Sequence, residues 1–305
     1  MKNKSISLKN ICLVSLGLGI ILTALRIYQA LAITDGSTGF FTSHNFTVPV
    51  MYVIAAATAI VPIALTFVCA DKPSGEFKSK PSFLYIFSVI FFAASLLVEG
   101  VKKLQVFLGE DGAFFAKKEA VGGNVGFILM IFSLLSVVSL LLSVVIYVKN
   151  GTLTGKLKIP MLFPAIWAFL KTLGFFSVTV SYVKVVSLLL TIFSFAFLMV
   201  FLLQNARVST GIGRKSAVWF FFATGLVSAA FCFSAGIPSL IAHYFVPEKE
   251  IMYCPYDLSL IAAGLYAVAS ITVRLGANKK AGAVSVCNTE EVYQNKEIND
   301  VTENG

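Results

Sequence analysis

The sequence predicts an all-α fold, a polytopic integral membrane bundle of about eight transmembrane helices, on three observations. Apolar residues come in long continuous runs, charges collect in the short segments between them, and basic residues alternate in density from one such segment to the next. With 57% hydrophobic residues, 13% charged residues and a mean hydropathy of +0.86, the 305 residues carry more apolar surface than one soluble core can bury. Runs that are continuous rather than alternating with period two point to helices and not to a barrel.

Windows of about 20 residues suit the roughly 30 Å hydrocarbon core that a helix has to cross. They lie at 10–33, 48–70, 82–101, 124–148, 159–181, 185–206, 216–236 and 256–276. The first follows a basic N-terminus (1–9) and runs from Ile11 to Leu25 before meeting Arg26 and Gln29. Its end, Ala30-Leu31-Ala32, has the form of a signal-peptide cleavage site, and cleavage there would leave seven spans. The second is closed by "DKPSGEFKSKP", whose Pro and Gly break the helix, and the third by Lys102 and Lys103. The fourth ends at "VKNGTLTGKLK" and the fifth opens with Pro160 and Pro164. Lys184 and Arg207 bracket the sixth. In the seventh, Gly236 and Pro238 are expected to end the spanning helix, leaving residues 239–245 at the interface. After the eighth the composition turns acidic, so 277–305 reads as a disordered cytoplasmic tail.

The net charge of +9 is a topology signal. Fifteen basic residues fall on one side: Lys2, Lys4, Lys9, Lys72, Lys78, Lys80, Lys149, Lys156, Lys158, Arg207, Arg214, Lys215, Arg274, Lys279 and Lys280. Six fall on the other: Lys102, Lys103, Lys117, Lys118, Lys184 and Lys249. The positive-inside rule then places both termini in the cytoplasm, and a plasma-membrane location is expected. Charge spread in this way does not form a nucleic-acid surface, so the expected partners are membrane lipid and a small-molecule substrate, with a protein partner or homo-oligomer left open.

The two long outer segments align weakly. Setting Asp35 on Asp111 brings Gly36 onto Gly112, Gln29 onto Gln105 and Arg26 onto Lys102, as a duplicated hairpin would. Chance similarity in low-complexity sequence is the competing explanation.

Polar residues inside the spans carry the functional reading, because each costs about 2.5 to 3.5 kcal/mol to place at mid-membrane. Arg26, Gln29, Glu99, Lys171, His243 and Asp257 all fall in the outer half, and the inner half holds almost no ionisable group. Residues near helix ends can snorkel to the headgroups, but Lys171 lies roughly 18 Å from the inner boundary and beyond its own reach of the outer surface. Pro164, Trp167, Lys171 and Gly174 share one face, so Trp167 can offer the ammonium its ring, and Glu99 is a plausible counter-ion. The expected ligand-binding set is therefore Arg26, Gln29, Glu99, Trp167 and Lys171, with the cations meeting an anionic group. Ser228, Cys232 and Gly236 form a small-residue stripe that reads as helix packing.

No catalytic residue is expected, since no nucleophile and base share a workable spacing and no GxSxG or HExxH occurs. With two histidines, five scattered cysteines and no CxxC, neither a metal nor another cofactor is expected. The first functional expectation is binding or transport of a small solute or lipid headgroup through an outward-facing polar cavity. The second is a non-transporting membrane sensor or assembly subunit that contacts partners through its outer loops or C-terminal tail.

Overall fold

The computed structural model describes residues 7–34, 41, 46–68, 82–108, 123–150, 159–177, 185–210, 215–245 and 257–275. The proposed repeat beyond Gln29 and Gln105, the cysteines Cys69, Cys254 and Cys287, and the tail lie outside them. Within them the helices are α1 (Leu8–Tyr28), α2 (Thr47–Val68), α3 (Phe83–Phe107), α4 (Gly123–Asn150), α5 (Phe163–Ser177), α6 (Val185–Ser209), α7 (Lys215–Phe245) and α8 (Leu258–Leu275). A π-helical turn, Gln29–Ile33, extends α1, and a 3-10 turn, Pro160–Leu162, precedes α5. Seven helices are long and apolar enough to cross a membrane, and the segment around α5, Pro160–Phe176, is shorter.

Backbone groups in hydrocarbon have to be satisfied within the chain, and helices do this segment by segment. Their hydroxyls follow the same rule by bonding back to the preceding turn. Ser15 donates to the Ile11 carbonyl at 2.8 Å, Thr23 to Gly19 at 2.8 Å, and Thr58 to Ile54 at 2.7 Å. Such side chains cost little in lipid.

Contacts between helices fix their relative directions. The start of α3 meets the end of α4 through Tyr85 and Tyr147, and the end of α2 meets the start of α7 through Phe67 and Phe220. The ends of α6 and α8 meet through Asn205 and Arg274. Helices α3 and α4, and α2 and α7, therefore run in opposite directions, and α6 and α8 in the same one. The end of the bundle where α1 begins is called here the near end, and the opposite one the far end.

Burial separates the inner helices from the peripheral ones. In α7, 78% of the central window is buried and in α8 61%, against 28% in α1 and 17% in α2. Small residues explain this. A methyl group on Gly236 of α7 would fall 2.8 Å from Ile261 Cγ1 of α8, and one on Gly264 of α8 would fall 3.0 Å from the Phe233 ring. Gly19 of α1 and Ala230 of α7 approach in the same way, at 3.0 Å. Without a hydrophobic drive between helices in lipid, such close approach supplies much of the packing energy. Leu13, Leu16, Ile20, Val53, Ile60 and Phe83 point outward as an apolar belt.

Two features differ from the sequence expectation. Helix α7 does not end at Gly236 but runs through Pro238 to Phe245. Proline removes one backbone donor, and packed neighbours make this tolerable in a membrane helix, as also at Pro62 in α2. Helix α3 also continues six residues past Val101, to Phe107, so Lys102 and Lys103 extend the helix instead of ending it.

Replacing Gly236 by Val is expected to destabilise the α7–α8 contact by about 1 to 3 kcal/mol. Gly17, which has nothing within 4 Å, should accept the same change with little loss. Thermal unfolding in detergent compares the two.

Candidate functional site

The buried charges gather where α3, α5 and α8 meet at the far end. Lys171 on α5 donates to Asp257 Oδ2 at 2.8 Å, and its ammonium lies 2.7 Å from Glu99 Oε1 of α3. Local structure positions each member. Asp257 stands immediately before α8 and caps it, accepting from the Ser259 amide at 2.9 Å and from the Ser259 hydroxyl. Glu99 sits in the continuous α3, with buried Lys103 one turn further on. Lys171 lies on the inward face of α5, where Pro164, Trp167 and Gly174 are also buried.

The cluster is nearly closed to solvent. Side-chain exposure is 11% for Lys171, 10% for Glu99 and 19% for Asp257, so what access exists is greatest on the Asp257 side. Trp167 and Phe195 place their ring centroids 5.9 and 5.5 Å from the ammonium. A desolvated cation gains from both faces. The two carboxylates are held differently: Asp257 accepts from Lys171 and from the amide and hydroxyl of Ser259, whereas Glu99 meets the ammonium and has no further hydrogen-bond donor among the described residues.

Three of the five residues expected from sequence, Glu99, Trp167 and Lys171, thus come together. Arg26 and Gln29 form a separate group on α1 and its π turn. Arg26 Nη1 donates to Gln29 Oε1 at 3.3 Å, and Gln29 Nε2 donates to the Thr47 carbonyl at 2.9 Å. Arg26 lines a void of about 10 Å³ with Thr191 of α6 and Pro238 of α7, room for at most about one water. Through these bonds the end of α1 is tied to the start of α2. His243 packs edge-on against Tyr244.

Lys171 meets the counter-ion expected from sequence, Glu99, and a second carboxylate, Asp257, that the expected set did not include. Asp257 was the missing partner; its position at a helix start, with Ser two residues on, is the capping signal that marks it.

The near half of the bundle also holds a buried charge, Arg274 at the end of α8. It donates from Nη2 to Asn205 Oδ1 and Ser209 Oγ, each at 2.9 Å, and its guanidinium stands 4.3 Å from the Phe221 ring. Asn205 Nδ2 in turn donates to Tyr266 Oη at 2.6 Å. Arg274 counts with the basic inner residues in sequence, which hid its inward orientation. Seventeen residues of α8 separate it from Asp257, about 26 Å of helix. Between the two centres lie rings in contact: Trp167 with Phe92 at 5.8 Å, Phe92 with Tyr266 at 5.6 Å, and Tyr266 with Tyr85 at 6.1 Å.

A cleft of about 510 Å³ lies elsewhere, between α1, α7 and α8, lined by residues such as Leu16, Ile20, Phe233 and Ile271. Its hydroxyls, Ser15, Thr23 and Thr272, donate to their own helix backbones, so the cleft offers apolar surface only. Among the described residues, no three of His, Cys, Asp and Glu stand together as a metal site would require.

Fold and site together define an integral, multi-pass helical membrane protein with paired charges in its interior. No family model, curated protein or solved structure matches the chain.

Lys171→Met alone leaves two carboxylates buried together and is expected to destabilise the bundle by about 3 to 5 kcal/mol. Adding Glu99→Gln and Asp257→Asn removes the uncompensated charge and should recover most of that loss. Melting temperatures of the single and triple variants in one detergent give the comparison.

Proposed function

We propose that the chain is a plasma-membrane protein of eight spans with both termini in the cytoplasm, which binds or moves a small solute or a lipid headgroup at its far, outward end. The observation that carries this reading is Lys171 held between Glu99 and Asp257 from two other helices. Three buried charges are an expensive way to join helices, and intramembrane ionisable groups mark solute and ion pathways. Their chemistry favours a cationic group over the anion that a lone lysine suggests. A cation can take the place of the ammonium between two carboxylates, whereas an anion would have to displace both. The ring column between the far centre and Arg274 supports a closed state, in which passage needs the helices to shift.

No catalytic role is proposed. The alternative, a non-transporting sensor or assembly subunit, draws support from the apolar cleft, which offers hydrocarbon contact without polar recognition.

The test uses proteoliposomes and a panel of organic cations and alkali metal ions, with uptake measured against empty vesicles. Wild-type protein should accumulate at least one of them, and the folded triple variant Lys171→Met, Glu99→Gln, Asp257→Asn should accumulate none. Equal uptake by the two would remove the triad from the function. Deleting residues 279–305 should leave uptake intact, whereas a tail-mediated subunit role would be lost, as scored by co-purification of partners from cells. Tags at each terminus, probed in sealed cells, check the orientation.

A further inference from the structure

We propose that Glu99 is an exchangeable proton-binding site and Asp257 the permanent counter-ion of Lys171. This rests on the reading of the triad as the functional centre, and it assigns the two carboxylates different tasks. Asp257 is fixed three times, by Lys171 Nζ and by the amide and hydroxyl of Ser259. Glu99, also buried, touches the same ammonium at 2.7 Å and has no further hydrogen-bond donor among the described residues. A buried carboxylate held only by a shared ammonium is costlier as an anion than one that also accepts two further hydrogen bonds, and adding a proton removes that cost. Lys171 then needs no new partner, because its bond to Asp257 remains.

The other groups facing the site fit this assignment. Lys103 of α3 and Lys171 of α5 are the cations whose charges act on Glu99, and Asp257 of α8 is the anion. Cys232 of α7 lies on the Asp257 side, and α6 contributes the Phe195 ring. In the step itself a hydronium ion from the far-end aqueous phase gives its proton to Glu99 Oε2. An O–H bond forms on the carboxyl, one breaks in the hydronium, and water departs past Asp257, the most exposed of the three. The charge of Glu99, Lys171 and Asp257 together goes from minus one to zero. Protonation loosens α3 from α5 while α5 and α8 stay joined.

Infrared difference spectra of the full-length protein, recorded while pH is stepped across the physiological range, test this without any solute. Wild type minus Glu99→Gln should contain a carboxylic acid C=O band that grows as pH falls, and wild type minus Asp257→Asn should contain none. Glu99→Gln imitates the protonated group and should melt within a few degrees of wild type, whereas Asp257→Asn should melt clearly lower. A titrating band that belongs to Asp257, no band from either residue, or a Glu99→Gln protein that does not fold would each overturn the assignment. Solute uptake is read separately. A Glu99 band without uptake leaves the proton site standing and removes the transport reading, and uptake without the band does the reverse.

Discussion

An ammonium buried between two carboxylates sets the terms for the far half of this bundle. None of the three groups is stable there alone, since each would face the desolvation of an uncompensated charge. Together they bring α3, α5 and α8 to one point. The direction of α8 follows from the same point. Asp257 meets Lys171 with Oδ2 while Oδ1 caps the helix start, so one side chain serves both the ion pair and the cap.

From there α8 runs inward as a helix of small residues, Ala262, Ala263, Gly264 and Ala267, against which α7 and the aromatic residues of α3 and α6 close. It emerges at Arg274, where Asn205 and Ser209 receive the guanidinium. One helix thus carries a polar centre at each end and an apolar middle. Helix α7 packs against α6, α1 and α2, and α2 touches chiefly α1 and α7, leaving most of its surface to lipid.

Hydropathy alone revealed the helices, because a run of apolar residues long enough to span lipid leaves the backbone few other options. It could not place α7's end, since whether proline stops a helix depends on the neighbours that pack around it, and at Pro238 α1 and α6 are close. Lys171 and Glu99 stood out by depth, and their pairing was legible from it. Asp257 was masked by its position at a loop boundary, and Arg274 by its agreement with the charge bias of the inner side. Arg26 and Gln29 bond to one another, apart from the triad. Helical spacing put them on one face, but spacing within one helix says nothing about which neighbours that face meets.

Trp167 gives the molecule an optical property. The chain has two tryptophans. Trp219 sits near the start of α7, partly exposed, while Trp167 is fully buried with the Lys171 ammonium beside it. Indole emission shifts with the field of a nearby charge, so changes of ionisation or geometry at the triad fall on a fluorophore already in place. With Trp219 replaced by Phe, the protein would report on its own charge centre without a label.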